Sequence, residues 1–134
     1  MTTSPEQSLT ARGTAIRRKV LGDAHVTRAI TGQTPFDAPF QSLITDAAWG
    51  HVWARATLPL RERSMLTIAL LAGLGNDDEL ALHIRATANT GASETDVMEV
   101  LLHVAIYAGV PRANHAIKIA KDTYAAMQAA RETL

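Results

Sequence analysis

Two places in this sequence set a carboxylate four residues ahead of an imidazole: Glu79 with His83, and Glu99 with His103. On a helix that spacing leaves the two side chains about 40° apart around the axis, so each pair shares a face. A carboxylate beside an imidazole fixes its tautomer and strengthens its hold on a proton, as a general acid working near neutral pH requires. Tyr107 carries the second face one turn further. Each pair also has a plain structural reading: a chance spacing for Glu79/His83, since such pairs are common, and a partly exposed flank or subunit contact for Glu99/His103/Tyr107. Spacing alone leaves both readings open. As metal sites the pairs are thin, because each offers two local ligands where zinc wants three or four.

A third group is Arg61-Glu62-Arg63, at the expected start of a helix. The positive end of a helix dipole mildly opposes arginine there, so two arginines suit a nearby anion or carboxylate. Arg63 stands three and seven residues before Leu66 and Leu70 and so points with apolar side chains. The alternative is a surface salt-bridge knot through Glu62. Trp49 and Trp53, four apart with Arg55 just beyond, read as packing or interface aromatics. His25, His51 and His115 read as ordinary.

The elements that must position these residues are helices. Ala and Leu are plentiful, aromatics are 4%, and no stretch sustains apolar/polar alternation. Ser4-Pro5-Glu6 reads as an N-cap with proline in the first turn, opening a helix toward Val20-Leu21. Gly22-Asp23 starts a short helix ending near Gly32. Pro35 and Pro39 bracket a turn, after which Phe40, Leu43, Ile44, Ala47, Ala48 and Trp49 recur at helical spacing. Thr57-Leu58-Pro59 is a break. Leu60 to about Leu74 is apolar on nearly every side after its first turn, the pattern of a central buried helix. Gly73-x-Gly75 closes it, and the next helix runs from about Asp77 to Thr90, ended by Gly91. Ser93-Glu94-Thr95-Asp96 resembles a capping box, with Asp in place of the usual Glu. Val97, Val100, Leu101, Val104, Ala105 and Ala108 give that helix a wide apolar stripe. Gly109-Val110-Pro111 restarts the chain into a last helix from Arg112 toward Ala130. The fold class expected is all-α, a single-domain bundle of about six or seven helices spanning residues 1–134.

Composition narrows the function. The chain has 134 residues with 13 basic and 13 acidic side chains, so there is no electrostatic footprint for nucleic acid or an anionic membrane. The absence of cysteine excludes thiol catalysis, cysteine-ligated metal and a disulfide scaffold. No apolar run approaches the ~18 residues needed to span a bilayer. The first residues lack a secretion pattern, so a cytoplasmic protein is expected. Charged residues are 19%, below the usual value of about 25%. That shortfall hints that some surface is covered by association.

Several blocks then resemble the γ-carboxymuconolactone decarboxylases. They are Arg18-Lys19-Val20-Leu21-Gly22-Asp23-Ala24-His25-Val26, Trp49-Gly50-His51-Val52-Trp53-Ala54-Arg55, Arg61-Glu62-Arg63-Ser64-Met65-Leu66-Thr67-Ile68-Ala69, Glu79-Leu80-Ala81-Leu82-His83-Ile84-Arg85-Ala86, and Glu99 through Pro111. The likeness runs in order from about residue 15 to about residue 125. The wider superfamily includes alkylhydroperoxidase D-type proteins with a Cys-x-x-Cys-x-x-x-His motif. His83 matches the motif histidine, but the two cysteine positions fall on Asn76 and Glu79, so peroxidase chemistry does not carry over.

What the resemblance implies is an all-helical fold assembled into a ring-like homo-oligomer, typically a hexamer, with a site free of metal and organic cofactor. The implied substrate is a small dianionic lactone of protocatechuate catabolism, 4-carboxymuconolactone, converted to 3-oxoadipate enol-lactone. The lactone ring is its own electron sink. Arginine suits the carboxylates, aimed hydrogen-bond donors suit the developing oxyanion, and a tuned histidine suits proton delivery. On this reading His83 is the proton donor and Glu79 orients it. Arg63 holds a carboxylate, Arg55 is a second candidate, and Tyr107 and Trp49 line the pocket. Two rivals stand beside it: a decarboxylase or isomerase of another lactone or keto acid, and a non-catalytic oligomer that binds a small acid.

Overall fold

A computed structural model describes residues 7–133. The chain divides into two compact units, one ending at Leu58 and one beginning at Pro59. Among the described residues every regular element is helical.

The first unit holds α1 (Leu9–Leu21), α2 (Asp23–Thr31), α3 (Ala38–Ile44) and a π-helical segment (Thr45–Trp53). The start expected at Ser4-Pro5-Glu6 lies outside the described residues; the helix described begins after Ser8, whose hydroxyl accepts from the Ala11 N–H at 3.1 Å. Gly13 is what lets α1 lie against the π-helical segment, because any Cβ there would collide with the carbonyl oxygen of Thr45. Thr10 donates to Asp46 at 2.7 Å and Arg17 to Gln41 at 3.2 Å, tying α1 to the chain that follows α3 and to α3 itself. The turn before α3 covers residues 35–37, within the stretch that Pro35 and Pro39 bracket, and α3 begins at Ala38. Asp37 accepts from the Thr34 N–H, and Pro39 lies inside the first helical turn, where its missing N–H is harmless. Phe40 and Leu43 are exposed, so the helical spacing expected from Phe40 onward is real but only part of it turns inward.

The second unit is four helices: α4 (Leu60–Leu74), α5 (Asp77–Thr90), α6 (Glu94–Tyr107) and α7 (Val110–Glu132). Ile68, Leu80, Ile84, Val97 and Leu101 are almost wholly excluded from solvent, with Ala72, Ala113, Ala116 and Ala120 closing the space between them. Burying each of the large aliphatic chains stabilises the fold by roughly 1.5–3 kcal/mol. The alanines on α7 let that helix lie close to α5 and α6. Ser93 and Asp96 form the capping box in full at the start of α6.

Contrary to the expectation of a central buried helix, α4 is not buried all round. Ser64, Ile68 and Ala72 face inward, whereas Leu66, Leu70 and Leu74 are exposed. The other three helices of the unit pack on one side of α4. Apolar residues on the opposite side gave the sequence its all-round hydrophobic look, and sequence cannot say whether the same chain covers them.

Candidate active site

Helix α5 owes its position to its ends. Gly75 takes a left-handed conformation (φ +76°) that stops α4, and α5 starts two residues later with Asp77, Asp78 and Glu79 in its first turn, where the helix dipole favours negative charge. At the far end, Thr90 donates across to Ser64 at 2.9 Å; both residues are buried, and the bond sets the register of α5 against α4.

On this frame His83 is buried, its side chain only 8% exposed, while Glu79 stands one turn earlier at 62%. The closest approach is 4.0 Å, from Nε2 to Glu79 Oε2. That exceeds hydrogen-bond distance, so Glu79 acts on the imidazole as a neighbouring charge. The two side chains thus share a face of α5, with the ring inside and the carboxylate at the rim.

Arg61-Glu62-Arg63 divides into two roles. Arg61 grips Asp96 through both carboxylate oxygens, Nε to Oδ2 at 2.9 Å and Nη2 to Oδ1 at 2.6 Å, and also meets Glu62 at 3.3 Å. The Arg61 guanidinium and the Ser93 backbone N–H together hold the Asp96 carboxyl well below the usual carboxylate range, and Asp96 in turn raises Arg61. The salt-bridge alternative thus holds for Arg61, which braces the start of α4 to the capping box of α6. Arg63 is half-buried beside Ser64. Because Ser64 lies opposite Thr90, Arg63 is level with the end of α5, seven residues or roughly 10 Å of helical rise from His83.

The remaining candidates sit on other elements. His103 and Tyr107 stack on α6 with centroids 5.1 Å apart, both exposed, beside an open apolar groove of about 340 Å³ that includes Leu70, Gly73 and Leu74. No hydrogen bond or ion pair joins Glu99 to His103 among the described residues. In the first unit Trp49 and Trp53 stack at 5.1 Å and are buried, and Ala54 donates to the Trp49 carbonyl five residues back at 2.9 Å. That longer step is the mark of a π-helix. Arg55 follows, exposed. Among the described residues no three His, Asp or Glu side chains gather as a metal site, and no helix is long and apolar enough to cross a membrane.

Residues 38–122 match the carboxymuconolactone decarboxylase family. The chain belongs to that family. Its relatives include the 4-carboxymuconolactone decarboxylase of Acinetobacter baylyi, 41% identical over 113 residues and 84% of each chain. Another is the nitrosuccinic acid decarboxylase of Metarhizium robertsii, 40% identical over 111 residues, covering 83% of this chain and 78% of the relative. The matched span in this family member includes the π-helical segment with Trp49, Arg63 on α4, Glu79 and His83 on α5, and Tyr107 on α6.

One polar pair escaped the reading of the sequence. His115, expected to be ordinary, donates from Nε2 to Asp77 Oδ2 at 2.8 Å. Thirty-eight residues separate the two, so no local spacing could have signalled the bond.

Proposed function

We propose that this chain is a carboxy-lyase that decarboxylates 4-carboxymuconolactone to 3-oxoadipate enol-lactone in protocatechuate catabolism, with His83 delivering the proton. The observation that carries the reading is the buried His83 with Glu79 at its rim, in a chain 41% identical across most of its length to a protein of that activity.

The chemistry asks little of the protein beyond placement. The bond between the ring γ-carbon and its carboxylate breaks and releases carbon dioxide. Its electron pair moves into the ring and out to the lactone carbonyl oxygen. A proton added to the carbon α to that carbonyl returns the pair to carbon, and the ring double bond ends between the β- and γ-carbons. The substrate dianion, one proton in and one carbon dioxide out, becomes a product monoanion. His83 supplies the proton and regains one from solvent, Glu79 orients the imidazole, and Arg63 holds a substrate carboxylate as a planar fork. Tyr107 is a further candidate for lining the site. The ring absorbs the electrons, so the reaction calls for no metal or organic cofactor.

The second relative supports one alternative substrate. Nitrosuccinic acid also carries its electron sink next to the carboxylate, in the nitro group, and suits the same combination of a held dianion and a proton donor. Offering each compound to the purified protein and following its loss by ultraviolet absorbance decides between them. Turnover of neither overturns the decarboxylase reading and favours the small-acid binder.

The exposed leucines of α4, together with Leu102 and Ile106 on α6, support assembly of the chain with copies of itself, a hexamer on the family resemblance. Contiguous apolar surface of this kind is uncommon on a monomer.

A further inference from the structure

A second pocket lies in the four-helix unit, where the end of α4 meets the starts of α5 and α7. It has a volume of about 220 Å³ and is lined by Ala72, Gly75, Asp77, Leu80, Pro111, Arg112, His115 and Ala116. It is a different face of α5 from that of His83, since six residues set Asp77 and His83 about 120° apart around the axis.

Its charges are arranged in an unexpected way. An aspartate and an arginine sharing one small pocket would ordinarily pair. Here Asp77 is taken by His115 at 2.8 Å, and Arg112 makes no hydrogen bond or ion pair with any described residue. Arg112 is exposed and lies against the end of α4. Its guanidinium lies directly over Gly75, in the space that a Cβ would fill, so the glycine that ends α4 also cradles the cation. The other walls are hydrocarbon: Ala72, Leu80, Pro111 and Ala116.

We propose that this pocket binds a small monocarboxylate, with Arg112 gripping the carboxylate and the apolar walls covering a short carbon body. A guanidinium fits a carboxylate with two parallel hydrogen bonds, which favours that anion over a spherical one. The volume is that of roughly seven waters, which limits the ligand to a few carbons. The Asp77 charge repels a second carboxylate, so a monoanion is selected over a dianion. His115 acts as a positioning residue: by occupying Asp77 it keeps Arg112 available. Neither His83 nor decarboxylation takes part in this binding.

Butyrate is the probe, titrated into the intact protein while backbone amide resonances are followed by NMR. Saturable, millimolar shifts are expected at residues 72–77 and 111–116, and His83→Ala leaves them unchanged. Arg112→Gln should weaken binding at least tenfold. His115→Ala should weaken it several-fold by releasing Asp77 onto Arg112, and the double variant Asp77→Asn/His115→Ala should restore it. Succinate should bind more weakly than butyrate, and chloride should not compete. Absence of shifts in these two segments, equal affinity in Arg112→Gln, or succinate binding as tightly as butyrate each overturns the proposal.

Discussion

The Glu79 carboxylate and the His83 imidazole sit 4.0 Å apart on one face of α5, the first mostly in water and the second almost wholly out of it. A proton donor shielded from solvent and attended by a charge at the rim should carry more of the rate than its attendant. Positioned acid–base groups contribute on the order of 100- to 10,000-fold. His83→Ala should therefore lower kcat for the lactone by at least about 100-fold. Glu79→Gln should cost less, because no hydrogen bond joins the pair. Helical circular dichroism and the mass by light scattering should be unchanged in both. Near-normal turnover in His83→Ala removes that residue from the chemistry.

Arg63 tests the carboxylate clamp. Replacing it with lysine keeps the charge and loses the two-pronged geometry. The expected result is a KM raised about tenfold or more, one decade per 1.4 kcal/mol of lost binding, with a smaller change in kcat. An unchanged KM would assign Arg63 to structure, as the Arg61–Asp96 pair already assigns its neighbour.

That neighbouring pair predicts how stability responds to acid. Asp96 has a folded-state affinity for protons far below the unfolded value, near pH 3.9 for an ordinary aspartate. Its contribution is therefore fully present above that value and disappears as pH falls toward the depressed folded one. Asp96→Asn should lower the thermal midpoint by a few degrees at pH 7. The gap between variant and parent should close as the pH is lowered through about 4 toward 2. A gap that stays constant over that range would show that Asp96 matters only as a capping side chain.

The bond between Thr90 and Ser64 makes a sharper test of packing. Ser64 is fully buried, so Ser64→Ala strands the Thr90 hydroxyl without its acceptor. Leaving a buried donor unmade costs about 1–3 kcal/mol, whereas removing both partners can be nearly neutral. Urea unfolding should show Ser64→Ala as clearly destabilised and the double variant Ser64→Ala/Thr90→Val as substantially recovered. Additive losses would mean that the two hydroxyls do not depend on each other.

These residues also show what a sequence discloses. The limits of α5 are legible because Gly75 and Gly91 stop helices and three acids follow the first of them. The Ser93–Asp96 capping box is legible for the same local reason. The π-helical segment around Trp49 is not, since its five-residue hydrogen bonds extend over too few residues to change the apolar period. Glu79/His83 is visible as a spacing, but which member lies inside is decided by packing against other helices. Asp77–His115 and Ser64–Thr90 join residues far apart in the chain and leave no local trace. The leucines of α4 misled for a related reason, since periodicity records that a face is apolar and says nothing of what covers it.

That uncovered face gives the last prediction. Leu70 lies midway between Leu66 and Leu74 on α4, borders the groove that holds His103 and Tyr107, and is 64% exposed. A charge placed there costs the isolated chain little, because the site already faces water. If copies of the chain meet across this face, the same charge is buried at the contact, where an unpaired carboxylate is strongly disfavoured. Leu70→Glu should therefore reduce the mass measured by light scattering toward that of one chain, while the helical content is retained. The apparent thermal midpoint should at the same time lose its dependence on protein concentration. An unaltered mass in Leu70→Glu would place any contact between copies on another surface.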